Sequence, residues 1–508
     1  MNLLSSTYIF SFFTLISRVL GYLRDILIAI FLGASIFADA FFVAFRLPNT
    51  FRRLFAEGTF NAAFIPSYTS EKTANKEKGK KFADEVLSLL FLILLFIVLL
   101  IEIFTPYFVF LIAPGFSENT EKFNLAVEFT RITFPFLLFV SLASFFSGIL
   151  NSNNRFAAAS AAPIILNIIL IASLIVSYLY GLETAKQLSY GVTLSGLIQL
   201  IFLIYFTKNY YQPSIRLKTK INKKVKFFFK KLLPSILSSG VTQINILVGT
   251  IIASFQTGAV SYLYYADRIY QINLALAGIA VGTVSLPVLS KAFKQKNIKK
   301  IFVIQNRSLE LSLLLSIPAS LGLIIASKQI VSSLFGYGSF TNTDVEMTSL
   351  ALKYFGYGVP AFALIKILSN FYFARDNTKK PFYISVFIVF LNILISVSLF
   401  NKVGFIIIPI ATSITTWIGV IVYIYSLNKK NLINIETNLY KSFIKVILNA
   451  ILMSFLLLFA LEYYSYYLDY DYKYKSVYLL LIVGFVTVFY LISCYFTGLL
   501  KTKKFKVN

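Results

Sequence analysis

Long apolar stretches alternate with short polar connections along the whole chain. About 20 consecutive apolar residues let a helix cross the hydrocarbon core of a bilayer. On this criterion the pattern predicts fourteen transmembrane helices, so the expected fold class is an all-α polytopic membrane protein. The predicted spans are residues 7–31, 35–57, 84–112, 125–150, 157–180, 187–207, 233–255, 259–288, 303–335, 346–373, 381–400, 403–427, 442–464 and 475–499.

Lysine and arginine are distributed unevenly over the connections between these spans. The connections after even-numbered spans are basic, whereas those after odd-numbered spans contain few cations. Cytoplasmic loops of membrane proteins carry the excess of Lys and Arg, so the alternation predicts that both termini are cytoplasmic. The basic tracts are residues 52–81, 208–231, 291–300, 375–380, 428–430 and 501–506.

Composition supports a membrane protein and excludes several kinds of chemistry. Of the 508 residues 58% are hydrophobic and 13% are charged, whereas a soluble domain has about 25% charged residues. The chain has no His and one Cys, which excludes His-based acid/base catalysis, His/Cys metal sites and disulfides within the chain. We therefore expect no catalytic residues, no metal site and no cofactor. Because the cations of the +26 net charge cluster between apolar runs, contact with lipid headgroups is expected and a nucleic-acid partner is not.

An internal repeat relates two parts of the chain at a fixed offset of 225 residues. Because this offset covers six predicted spans, the two copies share the same orientation in the membrane. Two lobes that meet at a midplane cavity are typical of transporters. The matched pairs are Pro135 with Pro360, Ser144 with Ser369, Phe146 with Phe371 and Asn167 with Asn392.

The repeat predicts the domain organisation. An N-lobe with spans 1 to 6 covers residues 1–207, and a basic cytoplasmic linker covers residues 208–232. A C-lobe with spans 7 to 12 covers residues 233–430. Residues 431–508 then add two further helices and a basic tail, which lie outside the repeat.

The second predicted span is apolar enough for a membrane but carries several charges. Asp39, Arg46 and Arg53 recur at intervals of seven residues, which places them on one face of a helix. Asn49 lies between them, and Glu57 lies four residues beyond Arg53. Each charge at the centre of a membrane helix costs about 2.5–3.5 kcal/mol, so a chain that keeps several of them is expected to use them.

Pro48 lies inside the same span, two residues after Arg46. Proline has no amide hydrogen, so it leaves the carbonyl of Ala44 without its helical donor and kinks the segment. A bend between two polar clusters suits a helix that rocks during transport, and a static kink explains the same sequence equally well.

Arginine is used sparingly and in particular places. Of the 47 basic residues 11 are Arg, and five of these fall within the first 53 residues, in or beside predicted spans. The planar guanidinium group binds phosphate through two parallel hydrogen bonds, so we hypothesise a cavity between the lobes that binds a pyrophosphate. The candidate binding residues are Arg18, Arg24, Arg46, Arg52, Arg53 and Arg268, together with Asn49.

A structural role for the same arginines stays open. They could serve only as partners of carboxylates, and Arg52 and Arg53 could instead reach the headgroups at the cytoplasmic interface. The acidic residues are expected to hold the arginines in place and to limit uncompensated charge. These supporting residues are Asp25, Asp39, Glu57 and Asp267.

Four segments of the chain closely resemble the MurJ (MviN) family of lipid II flippases, which belongs to the multidrug/oligosaccharidyl-lipid/polysaccharide exporter superfamily. The resemblance covers essentially the full length, including the two additional C-terminal spans. The segments are SRVLGYLRD (17–25), ADAFFVAFRLPNTFRRLFAEGTFNAAFIP (38–66), YYADRIY (264–270) and GTVSLPVLSK (282–291).

The resemblance implies a bacterial inner-membrane protein whose two six-helix lobes are related by pseudo-two-fold symmetry. It implies a polyprenyl-pyrophosphate-linked disaccharide-pentapeptide as the substrate, membrane lipids as surroundings and cell-wall synthesis proteins as further partners. The two terminal helices would shape a groove for the polyprenyl tail. By similarity, Arg18, Arg24, Arg52 and Arg268 match cavity arginines of the family, Asp39 and Glu57 match its functional acidic positions, and Arg46 matches a commonly basic position.

The seventh predicted span departs from one feature of the family. Some members are described with a sodium site that involves a carboxylate in this span. Here the span has no Asp or Glu and offers Gln243 and Asn245 as its larger polar side chains. The coupling ion therefore stays open, and membrane potential acting on the substrate or on the cationic cavity is an alternative driving force.

Alternating access by the two lobes is the mechanism that we expect. Three other functions stay open: a flippase for another polyprenyl-linked glycan, a multidrug exporter, and a membrane scaffold for wall-synthesis enzymes. An exporter of cationic drugs favours an acidic or neutral cavity, so the arginines argue against it. A scaffold would use the charges only for assembly and should tolerate loss of Arg24 or Arg268.

Overall fold

The computed structural model describes residues 3–56, 59–214 and 222–500, without the side chains of residues 3–7, 47, 51–56, 59 and 231–242. Within these ranges the chain folds into helices joined by short connections. The α-helices are α1 (Leu3–Leu32), α2 (Ile36–Ala56), α3 (Thr59–Ala74), α4 (Lys76–Ile103), α5 (Thr105–Ile112), α6 (Thr120–Thr133), α7 (Phe136–Ser152), α8 (Phe156–Tyr180), α9 (Thr184–Thr207), α10 (Lys223–Ala253), α11 (Ala259–Leu274), α12 (Ala280–Lys294), α13 (Ile298–Ile325), α14 (Ser327–Phe335), α15 (Asn342–Phe373), α16 (Lys379–Val403), α17 (Ile407–Asn428), α18 (Thr437–Tyr463) and α19 (Lys475–Phe496). A π-helical turn (Ala275–Ile279) joins α11 to α12, and 3-10 turns cover Pro114–Glu118, Gly404–Ile406 and Ser465–Leu468.

The prediction of an all-α polytopic membrane protein is confirmed. Ten helical segments of the described chain are long and apolar enough to cross a membrane. One of them, Lys379–Asn428, contains both α16 and α17. The first helix has 30 residues but carries Arg18, Arg24 and Asp25. The count of fourteen spans stays a prediction.

Helix boundaries differ from the predicted spans where capping residues and prolines act. The span predicted at 84–112 is two helices, α4 and α5. The first helix ends at its C-cap Phe104, and Pro106 lies in the first turn of the next helix, where proline is well tolerated. α4 also begins earlier than its apolar part, since the Asn75 side chain accepts a hydrogen bond from the amide of Glu77 and caps the polar first turns. Hydropathy thus locates the part of a helix that suits the membrane, while caps set its ends.

The described chain forms two compact units, Met1–Ser261 and Tyr262–Asn508, with the boundary inside α11. This division follows the packing of the helices and places α10 in the first unit. The internal repeat instead predicted that the seventh span, which lies in α10, belongs to a C-lobe that begins at residue 233. That lobe boundary stays a prediction.

Aromatic side chains form much of the core of the first unit. Phe64 of α3 is fully buried and packs against Phe60, Phe82, Phe145 and Phe228, with ring centroids 5.0 to 6.2 Å apart. Aromatic pairs at these distances add to the free energy gained from burial alone. This cluster fixes α3, α4, α7 and the start of α10 together.

α15 forms the centre of the second unit, with α13 and α17 packed against it. The terminal helices α18 and α19 pack on α13 through a separate apolar cluster that includes Leu314, Val446 and Leu479. Lys475, at the start of α19, is buried and donates a hydrogen bond to the Gly336 carbonyl, 2.7 Å away. The terminal helix pair is therefore attached to this unit by both apolar and polar contacts.

Candidate functional site

Arg24 of α1 is buried in the first unit and makes hydrogen bonds to two side chains of that unit. Its Nη2 and Nε atoms lie 2.6 and 3.0 Å from Oδ1 of Asp25, and its Nη1 donates to Oδ1 of Asn167, 2.9 Å away. The Asn167 side-chain amide in turn donates to the carbonyl of Ser17, 2.8 Å away. These contacts connect α1 to α8. In this conformation Arg24 neutralises Asp25 and has the geometry of a structural cation.

Arg18 lies six residues earlier on α1, and its side chain is exposed. Unlike Arg24, it is therefore accessible from outside the first unit. Since an exposed guanidinium keeps its donors available to an anionic ligand, Arg18 is better placed than Arg24 to meet a substrate directly.

The structure describes only part of the basic face of α2, the name used here for the predicted binding residues Arg46, Asn49, Arg52 and Arg53. Arg46 and Asn49 are half-buried on this helix. Arg52 and Arg53 lie within the helical backbone of α2, but their side chains are outside the described ones. Glu57 lies outside the described residues. Binding roles for the three arginines and Asn49, and the supporting role of Glu57, stay predictions.

Pro48 lies inside α2, as the sequence indicated. The carbonyl of Ala44 accepts a hydrogen bond from the hydroxyl of Thr133 on α6, at 3.1 Å. A donor from another helix thus takes the place of the amide that proline lacks. The carbonyl that Pro48 leaves without a helical donor is therefore satisfied from outside that helix.

Asp39, near the start of α2, is fully buried and accepts four hydrogen bonds within the first unit. The donors are Nζ of Lys122 at 2.6 Å, the amide of Gly258 at 2.8 Å, and the amide and hydroxyl of Ser261 at 2.9 and 2.6 Å. Gly258 directly precedes α11 and Ser261 lies in its first turn, where the positive end of the helix dipole favours a carboxylate. Asp39 therefore joins the starts of three helices, α2, α6 and α11.

The partner of Asp39 differs from the expected one. Sequence reasoning expected it to support an arginine, but its cation is Lys122, whose side chain is also buried and lies 4.1 Å from the ring centroid of Phe116. Arg53 lies 14 residues further along α2, about 21 Å away at 1.5 Å per residue. The sequence analysis did not identify Lys122 as the partner of Asp39, because Lys122 lies in a connection that is otherwise without Lys or Arg. A single cation in such a connection was the one feature that could have drawn attention to it.

In the second unit, Arg268 of α11 is half-buried beside an aromatic ring. Its Nη2 donates to the hydroxyl of Tyr264 at 2.9 Å, and its guanidinium carbon lies 4.6 Å from the centroid of the same ring. Asp267 accepts a hydrogen bond from the side chain of Gln271. The predicted convergence of Arg268 with the arginines of the first unit stays a prediction.

Lys366 of α15 is a further candidate that sequence reasoning passed over. It is exposed although it lies inside a predicted span. Beside it, Gly278 of the π-helical turn packs closely on Ala363, and the Asn370 side chain donates to the carbonyl of Gly282 at 2.7 Å. π-helical turns occur frequently at functional sites, so this face of α15 belongs with Arg268 among the candidates of the second unit.

Arg375 was counted among the topology signals but is bound to the protein. It lies between α15 and α16, and its Nη2 donates to the Leu432 carbonyl at 2.8 Å. Its guanidinium carbon lies 4.2 Å from the ring centroid of Phe293. Burial lowers the pKa of Arg375 to about 10, so the residue is still a cation at neutral pH. It connects the α17–α18 loop to the end of α15.

No group of three or more His, Cys, Asp or Glu side chains in the described part of the chain could hold a metal ion. The buried carboxylates of Asp25 and Asp39 are instead paired with Arg24 and Lys122, and Asp39 also accepts from backbone amides.

The fold and the apolar helices define a class of protein, a polytopic α-helical membrane protein. A solved structure described as an inward-facing multidrug resistance MATE family transporter of the MOP superfamily has the same fold, with a TM-score of 0.66 at 16% identity over 84% of this chain and 96% of that one.

Comparison with more similar proteins specifies the family. The family described as "Lipid II flippase MurJ" matches residues 28–478. A probable lipid II flippase MurJ of Rickettsia prowazekii is 36% identical over 505 residues, which cover 96% of this chain and 97% of the relative. One of Rhizobium tropici is 38% identical over 443 residues, covering 86% and 83%. The chain belongs to the MurJ family.

A solved MurJ structure supports the same assignment. The structure, described as a lipid II flippase MurJ in an inward closed conformation, matches with a TM-score of 0.82 at 29% identity. The match covers 97% of this chain and 99% of that chain. The resemblance drawn from the sequence segments is therefore confirmed.

Proposed function

We propose that this protein moves lipid II from the cytoplasmic to the outer leaflet of a bacterial inner membrane by alternating access. The observation that carries the proposal is the family match over nearly the whole chain, at 36% identity to a probable lipid II flippase. The substrate is then a lipid-linked glycopeptide with a pyrophosphate group. The polyprenyl tail stays in lipid while the headgroup crosses through a hydrated cavity.

The charged residues have distinct parts in this proposal. Arg18, Arg46, Arg52 and Arg268 bind the pyrophosphate, since guanidinium groups suit phosphate oxygens. Arg24 keeps α1 and α8 in register through Asp25 and Asn167. We expect Arg24 to act through the shape of the first unit, and Arg18 to act through contact.

The Asp39 network supports alternating access. It holds the starts of α2, α6 and α11 together through one carboxylate. The proposed topology, with both termini in the cytoplasm, places these three helix ends on the outer side. Lipid II can leave on that side only when the ends separate, so the network has to open in the outward-facing state.

Two six-helix lobes, residues 1–207 and 233–430, provide the rocking bodies in this proposal. The matched prolines Pro135 and Pro360 support the repeat. Ile132, three residues before the first, accepts a hydrogen bond from Thr193 of α9, and Tyr357, three residues before the second, accepts one from Trp417 of α17. The two acceptors are also 225 residues apart. No covalent bond is made or broken, so the protein is not an enzyme, and wall-synthesis proteins are its expected partners.

Depletion of the protein tests the proposal. In cells without a redundant flippase, lipid II accessible from outside should fall, and the wild-type gene should restore it. Arg18→Ala should fail to restore it, whereas Arg155→Ala, in the α7–α8 connection, should succeed. A scaffold or a flippase for another glycan would leave outward-exposed lipid II unchanged on depletion, which would contradict the proposal.

A further inference from the structure

Three interior prolines of the described helices share one arrangement. Each leaves the carbonyl four residues earlier without its helical donor, and in each case a hydroxyl group from another helix donates to that carbonyl. The pairs are Thr133 Oγ1 to the Ala44 carbonyl before Pro48 at 3.1 Å, Tyr490 OH to the Leu314 carbonyl before Pro318 at 2.9 Å, and Ser320 Oγ to the Gly356 carbonyl before Pro360 at 2.7 Å. The prolines thus create interhelical hydrogen bonds.

The pair at Pro48 lies on the helix that carries the basic face. Thr133 and Ala44 are both fully buried, so no water competes for this hydrogen bond. A buried carbonyl without a donor is costly. The direction of α2 after Ala44 therefore depends on a hydroxyl group that belongs to α6.

The same hydroxyl has a second acceptor. Thr133 Oγ1 also lies 3.3 Å from the carbonyl of Thr130 in its own helix. A threonine hydroxyl has one hydrogen to donate, so it can turn to Thr130 and release Ala44 without losing its own hydrogen bond. Such a contact can hold α2 in one state and let it move in another.

We infer that Thr133 is a positioning residue for the basic face of α2. Its hydrogen bond to the Ala44 carbonyl fixes the turn of α2 before Pro48, and with it the placement of Arg46, which lies on that turn. The inference rests on the proposed function, because the ligand that Arg46 meets is taken to be the pyrophosphate of lipid II. Thr133 itself contacts α2 and not the substrate.

Three variants of the full-length protein in detergent test this role through lipid II affinity and thermal unfolding. Thr133→Val keeps the shape but removes the donor, and should weaken lipid II binding about tenfold, the equivalent of 1.4 kcal/mol. Thr133→Ser keeps the donor and should bind like the wild type. Thr193→Val removes a comparable hydroxyl of the same unit, the donor to the Ile132 carbonyl, and should lower thermal stability without weakening binding.

A double variant separates positioning from general destabilisation. Pro48→Ala supplies an amide that can donate to the Ala44 carbonyl, so in that background Thr133→Val should change lipid II affinity by less than about twofold. Equal losses of affinity in Thr133→Val and Thr193→Val, or an undiminished effect in the Pro48→Ala background, would overturn the inference. If Thr133→Val does not fold, the comparison within the Pro48→Ala background decides. Failure of the wild type to bind lipid II would instead overturn the proposed function.

Discussion

Removal of the negative charge at Asp39 is expected to be among the most destabilising single changes in the first unit. Asp39 is 0% exposed and its partner Lys122 is 3% exposed. Asp39→Asn keeps the size of the side chain but leaves the Lys122 ammonium buried without its counter-charge. Loss of one partner of a buried ion pair costs about 3–5 kcal/mol, a large part of the roughly 5–15 kcal/mol that stabilises a typical folded protein.

The assay is equilibrium unfolding of the full chain in detergent, with an exposed ion pair as the control. Lys328 and Glu346 lie 2.9 Å apart, but their side chains are 54% and 49% exposed. Exposed pairs contribute about 0–1 kcal/mol, so Lys328→Met should change stability little. Adding Lys122→Met to Asp39→Asn removes the unpaired ammonium and should recover part of the loss.

Two outcomes would refute this reasoning. If Asp39→Asn costs no more than Lys328→Met, the buried pair does not carry the free energy assigned to it. If the double variant is less stable than Asp39→Asn alone, the unpaired charge of Lys122 is not the cause of the loss.

Two further predictions use the same unfolding measurement. Arg24→Met should cost about 3–5 kcal/mol, because it leaves the buried Asp25 carboxylate without its cation. Asn167→Leu should cost about 1–3 kcal/mol, because it removes two hydrogen bonds of a neutral side chain, one accepted from Arg24 and one donated to the Ser17 carbonyl. Equal losses would contradict the assigned roles. Tyr490→Phe should cost about 1–3 kcal/mol, because it leaves the buried Leu314 carbonyl without a donor, and an unchanged stability would show that this hydrogen bond does not hold α19 on α13.

The fold class could be predicted from the sequence because hydrophobic length is a direct consequence of membrane thickness. The bounds of single helices were less accessible. The apolar run that ends at Ile112 gave one predicted span, but Pro106 starts a new helix inside it. The polar stretch after Asn75 belongs to α4 although no membrane pattern marks it. Local capping and proline chemistry, rather than hydropathy, decide such ends.

The site was predictable only where residues share one helix. The spacing of Asp39, Arg46 and Arg53 defines a face of α2, and Arg24 and Asp25 are neighbours in the chain. Contacts between helices were not predictable in this way. Lys122 is 83 residues from Asp39 and Asn167 is 143 residues from Arg24, and spacing along one helix contains no information about a partner on another.

Transport by the purified protein is the measurement that tests the central claim most directly. Full-length protein is reconstituted into vesicles that contain fluorescent lipid II, and lipid II reaching the opposite leaflet is measured with a quencher outside. We predict that wild type and Arg155→Ala move lipid II, that Arg18→Ala and Arg268→Ala do not, and that a fluorescent phospholipid is not moved. If Arg18→Ala and Arg268→Ala move lipid II as fast as the wild type does, the claim that these arginines bind the pyrophosphate is contradicted.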